Sequence, residues 1–166
     1  MQEQKLSKKQ DSSMSTFIQL KCDEDLQKII KVAFDTDLNI KGSWGYTQDN
    51  ATIILSSPTP LIQFEHMFAS MRAYIEMNMT REKDDRYGSI NLNEVEREQV
   101  ISGTQTYDKV TYKITAMKED VYASFIAEYK EGYGKEAFNI SEHFKKREDA
   151  TLTREVSHWY EVTKII

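Results

Sequence analysis

Hydrophobic residues recur with different periods along this chain, and each change of period marks an element. Between Thr59 and Met79, Leu61, Phe64, Phe68, Met71 and Ile75 are spaced by three and four. Advanced by 100° per residue they fall within about 80° of one another, so they form one face of a helix. Thr59 offers a capping hydroxyl, and Pro60 suits the first helical position, where a missing N–H costs nothing. Met67 and Tyr74 widen the apolar face. The opposite side, Ile62, His66, Ala69, Ser70, Ala73 and Met77, has no formal charge, while Glu65, Arg72 and Glu76 share one narrow flank. A helix this apolar all round is expected in a core, clamped between a sheet and a second helix. Alternatively its outer side is a surface for self-association or a protein partner, with Ile62, His66, Ala73 and Met77 as the contacting residues.

The segments before this helix are shorter. Ile18, Leu20 and Cys22 alternate with polar residues and predict a short strand. Asp23-Glu24-Asp25 is an acidic run that favours a helix start, followed by Leu26, Ile29, Ile30, Ala33 and Phe34 at helical spacing. Leu38 to Tyr46 and Ala51 to Leu55 read as a β-hairpin. Gly42 and Gly45 flank Ser43-Trp44, which points to a bulge or a close backbone approach, with Trp44 in the core.

After the central helix, Tyr87 to Leu92 predicts a short strand. Asn93-Glu94-Val95-Glu96 resembles a capping box, and Gly103 suits a stop, so Glu94 to Ile101 reads as a short helix or as a continued strand. From Thr106 the period becomes two. Val110, Tyr112, Ile114 and Ala116 alternate with polar residues, as do Val121, Ala123, Phe125, Ala127 and Tyr129. A turn at Glu119-Asp120 sets 116 against 123 and 112 against 127, all on one face. Further turns at Gly132-Tyr133-Gly134 and Glu148-Asp149-Ala150 add strands holding Phe138, Ile140 and Glu142, then Val156, His158 and Tyr160.

These elements predict an α+β fold. A curved antiparallel sheet, its C-terminal part a four-strand meander, packs on the central helix, with a second, N-terminal helix and a hairpin. The 166 residues suit one domain over 15–166, preceded by a polar, flexible tail over 1–14. No apolar run approaches ~18 residues, so no membrane association is expected, and the start lacks an apolar signal-peptide core. A cytoplasmic location follows as the default. The net charge of −5, with both signs mixed, argues against nucleic acid as a partner. Lys145-Lys146-Arg147 is the one basic triplet, with Glu148-Asp149 directly after it, and reads as a charged hairpin tip.

Candidate chemistry is sparse. Cys22, alone, excludes an internal disulfide or a cysteine metal cluster, and no His-x-x-x-His or Glu-x-x-His array is present, so neither metal nor cofactor is expected. There is no nucleophile elbow and no phosphate-binding glycine loop. One constellation remains on the predicted inner face of the sheet. Glu142, His158 and Tyr160, with Tyr112 and Tyr129 on neighbouring strands, place a carboxylate and an imidazole in an apolar cup, Glu142 diagonal to His158 at roughly 7 Å between Cα atoms. Two functions follow. The first is a small non-enzymatic protein-binding or adaptor module that self-associates. The alternative is a ligand-binding cup for a small molecule, or a small enzyme, using that inner face.

Overall fold

A computed structural model of the protein describes residues 17–166; the expected tail over 1–14 lies outside them. The fold is α+β. In chain order it comprises α1 (Leu26–Phe34), β1 (Ile40–Gly42), β2 (Thr52–Ile54), α2 (Leu61–Tyr74), β3 (Tyr87–Ser102), β4 (Gln105–Lys118), α3 (Glu119–Gly132), α4 (Ile140–Asp149) and β5 (Leu152–Glu161). The sheet is open and five-stranded, in the order β1-β2-β5-β4-β3. Every neighbouring pair is antiparallel except β2 and β5, which run parallel. Among the described residues, no helix is long and apolar enough to cross a membrane.

The first helix begins where the acids predict it. Asp25 caps it, its carboxylate accepting from Gln27 N–H at 3.0 Å, and buries Leu26 and Ile30. The expected strand over 18–22 does not form. That segment is tied instead by side chains, with Leu20 N–H donating to Tyr46 Oη and Trp44 Nε1–H donating to the Lys21 carbonyl. Trp44 lies in the core and stacks on Phe68 at 5.8 Å. The close approach predicted near it is at Gly45, which has φ +82°; a Cβ there would lie 2.2 Å from the His158 ring.

The central helix forms one residue later than its capping signal implied. Pro60, not Thr59, is the capping position, and its carbonyl accepts from Phe64 N–H. After Tyr74 the helix widens into a π-helical turn, Ile75–Met79, within which Asn78 donates to the Tyr87 carbonyl at 2.8 Å. Phe64, Phe68 and Ile75 are buried as expected. So are Glu65, Arg72 and Glu76: the charged flank faces the sheet rather than solvent.

Strands β3 and β4 form a long antiparallel ribbon whose register shifts between Gly88 and Asn91 and between Glu94 and Glu96. Residues 94–101, one of whose readings was helix, extend β3, because Val95, Val100 and Ile101 favour a pleated backbone and Gly103 serves a hairpin. Ser102 pairs with Gln105 across a two-residue loop that opens with Gly103 at φ +62°. In β4 the predicted inner residues Val110, Tyr112, Ile114 and Ala116 are all buried. The parity of β5 also matches, since His158 and Tyr160 are buried, but its neighbours are β4 and β2.

The two middle strands of the expected meander are helices. Residues 119–132 form α3 and 140–149 form α4, an antiparallel arm inserted between β4 and β5. Val121, Phe125 and Tyr129 are four apart, a spacing that fits one helical face as well as alternate strand positions. Composition decides between them. Ala123, Ala127 and Glu128 are strong helix formers among the intervening positions, and Glu119 and Asp120 sit in the first turn, where the helix dipole favours acids. For α4, Asn139 accepts from Glu142 N–H at 3.0 Å, with Glu142 at the capping-box position.

Candidate functional site

Three of the five expected inner-face residues meet beneath α2. Tyr160 O–H donates to the Glu65 carbonyl at 2.6 Å. With that proton committed, the 3.1 Å contact between the two phenol oxygens is Tyr112 donating to Tyr160. The His158 ring stacks on Tyr160 at 4.1 Å and meets the Phe68 edge. Thr52 donates its hydroxyl to the Ser43 carbonyl at 2.7 Å. Its oxygen therefore accepts from His158 Nε2–H at 2.9 Å, which assigns the tautomer and leaves Nδ1 without a partner among the described residues. Burial first, then the Arg72 charge, holds this imidazole well below its ordinary pKa, so it is neutral. Burial raises the Tyr160 phenol well above its usual value. All three side chains are closed off from solvent by the helix.

Glu142 and Tyr129 are elsewhere, on the arm. Glu142 is exposed, 3.9 Å from Lys146, and Tyr129 lies among the aromatic rings around His143. The five residues do not converge because the segment carrying these two is helical. Of the expected partner-facing residues, Ile62 and His66 are exposed, and His66 Nε2 contacts the Leu92 carbonyl at 3.1 Å. Ala73 and Met77 belong to the core.

The charged flank of α2 builds two ion networks against the sheet. At one end the Glu65 carboxylate accepts from Arg97 at 2.7 Å, and Arg97 also bonds Glu94 at 2.7 Å and approaches Asp108 at 3.4 Å. Glu65 Oε2 has no partner among the described residues. Burial, followed by the proximity of Asp108, pushes the Glu65 carboxyl up to about 8. At the other end Glu76 accepts from Tyr46 O–H and from Arg154 at 3.1 Å. Arg72 lies between these networks and beside a cavity of about 230 Å³.

The arm is different in kind. Among the described residues of α3 and α4, only His143 is buried, inside a ring of Phe125, Tyr129, Phe138 and Phe144. Tyr133, Ile140 and Phe144 remain 68%, 45% and 48% exposed. Ile140 and Phe144 are one turn apart and make a ridge along α4. Of the basic triplet that follows in sequence, Arg147 shares this face, its guanidinium 5.5 Å from the Phe144 ring centre, while Lys145 and Lys146 turn away from it.

Comparisons with protein-family models, with curated proteins and with solved structures find no match. Among the described residues, no group of three or more His, Cys, Asp or Glu is placed to hold a metal ion. Burial, then Asp23 and Asp25, raises the Cys22 thiol, which Ser43 opposes, so it stays protonated near neutral pH. Sequence reasoning missed the arm and the cavity for separate reasons. The arm was signalled by Asn139-Ile140-Ser141-Glu142, a capping box masked by an alternating pattern. The cavity rests on Arg72, whose burial no local pattern announces.

Proposed function

We propose that this protein is a cytoplasmic protein-binding module that docks through the α3–α4 arm, and that its partner is a second copy of the chain. The observation that carries this reading is the exposed ridge of Ile140 and Phe144, with Tyr133 nearby, on helices that bury almost nothing of their own. An apolar ridge on an otherwise polar arm gains stability when a partner covers it.

The rest of the chain offers a complementary surface. Strand β3 lies at the edge of the sheet and leaves Val95 and Ile101 exposed. Glu94, Glu96 and Glu98 beside them are exposed as well. Val95 at the β3 bulge has Glu96 and Glu98 after it on one face of the strand, and the α4 ridge has Arg147 one turn beyond Phe144, so each surface combines an apolar and a charged part of opposite sign. When each of two copies places its arm on the other's β3, the contacts are reciprocal and the assembly closes as a twofold dimer. The chain's net charge of −5 supports a protein rather than a nucleic-acid partner for the small basic patch.

A charge-exchange experiment tests the pairing. Arg147→Glu should weaken self-association, and adding Glu98→Lys to the same chain should restore it. Size-exclusion chromatography with light scattering reads the result. Weakening without restoration would move the contact away from β3, and a wild-type chain that stays monomeric would remove the self-association altogether.

A further inference from the structure

We propose that the cavity between α2 and β5 is a binding site for a small carboxylate, held by Arg72 and Arg154. Arg72 is 2% exposed and lines this cavity of about 230 Å³. Its guanidinium makes two hydrogen bonds, both to backbone carbonyls: Nη1 to Trp44 at 3.1 Å and Nη2 to Ser157 at 3.0 Å. Its carbon lies 4.4 Å above the Tyr46 ring. A guanidinium carries five N–H donors, so three are left over. Among the described residues no carboxylate lies within ion-pair distance of Arg72.

The nearest candidate, Glu76, is already committed. It accepts from Tyr46 and from Arg154, and Arg154 itself is nearly buried, with its guanidinium 4.4 Å above the Phe17 ring. Glu155 also borders the cavity but is exposed, and strand alternation points it to the opposite face of the sheet from Arg154 and Val156. The interior therefore holds two guanidinium charges and one carboxylate. A buried charge without a counter-charge is costly, and a planar guanidinium is matched best by an oxyanion that takes two of its N–H groups together. One monoanion balances the site.

The space selects within that class. Its volume is below the usual range for drug-sized ligands and fits a compact organic acid of a few carbons. Tyr46 and Phe17 each carry a guanidinium over the ring, so these aromatics already serve the two arginines. Half-buried Val156 supplies an apolar wall. Gln19 and Glu155, both lining residues, are exposed, so the cavity reaches solvent.

The test titrates the full chain with propionate and, separately, with inorganic phosphate in chloride-free buffer, following the Arg72 Nε–H resonance by NMR. Propionate should shift the resonance saturably in the millimolar range, and phosphate should do so at least tenfold more weakly. Arg72→Lys should abolish the response. Because that variant risks unfolding, Val156→Met provides a second arm: it fills the cavity, keeps both arginines, and should lose propionate binding while remaining folded. A non-saturating response, or an undiminished one in Val156→Met, would overturn the site.

Discussion

Glu65, Arg72 and Glu76 show how single residues decide the packing of α2. A charged stripe is normally the solvated side of a helix, yet here it lies against the sheet because each charge finds a specific partner there: Arg97 for Glu65, backbone carbonyls for Arg72, Arg154 and Tyr46 for Glu76. The phenol chain beneath is equally committed. Tyr160→Phe would leave the Glu65 carbonyl without its donor and Tyr112 without its acceptor, and should cost about 1–3 kcal/mol in urea denaturation. Glu65 gives the residue scale a pH signature. Its carboxyl titrates near 8 in the folded chain, against an ordinary value of 4.5, so folding tightens its hold on the proton. The stability this adds is complete below pH 4.5 and is lost as pH rises through 8. Glu65→Gln, neutral throughout, should flatten that part of the stability–pH profile, measured by denaturant titrations at stepped pH. His158 acts in the opposite sense. Kept neutral by burial, it lowers stability as pH falls below its ordinary value of 6.5. The slope that distinguishes Glu65 is therefore the difference between wild type and variant, and an identical slope in both would remove Glu65 as its source.

At the scale of elements, the boundary between what the sequence revealed and what it hid follows local physics. Helix α1 was legible because an acidic start and a clean apolar stripe agree. Strand β4 was legible because Val110, Tyr112, Ile114 and Ala116 alternate with polar residues through its central stretch. Strand β5 was legible in parity but not in its neighbours, since parity comes from burial and pairing comes from topology. The arm was misread because residues four apart satisfy both periods, and only helix propensity separates them. Of the candidate site, Tyr112, His158 and Tyr160 share the inner face that alternation implied, though on directly paired strands rather than across a meander. Glu142 and Tyr129 went with the arm. An element that buries only His143 should be removable. Replacing residues 121–150 by a short turn between β4 and β5 should leave the sheet and α2 folded, with a thermal midpoint within a few degrees of the parent. Loss of cooperative unfolding in that variant would show that the arm supports the core after all.

For the whole molecule, the division of labour is between a closed body and an open arm. The inner face of the sheet is filled by α2, so the acid–base pair expected in a cup has no solvent access at His158. Among the exposed apolar residues, Tyr133, Ile140 and Phe144 lie on the arm and Val95 and Ile101 on β3. That arrangement is what the self-docking proposal uses. Sedimentation velocity over a wide concentration range tests it most directly, with the parent chain compared against Ile140→Asp combined with Phe144→Asp. The parent should move from monomer to dimer as concentration rises, and the double variant should stay monomeric at every concentration while remaining folded. A parent that sediments as a monomer throughout, or a double variant that dimerises as strongly as the parent, would contradict the account.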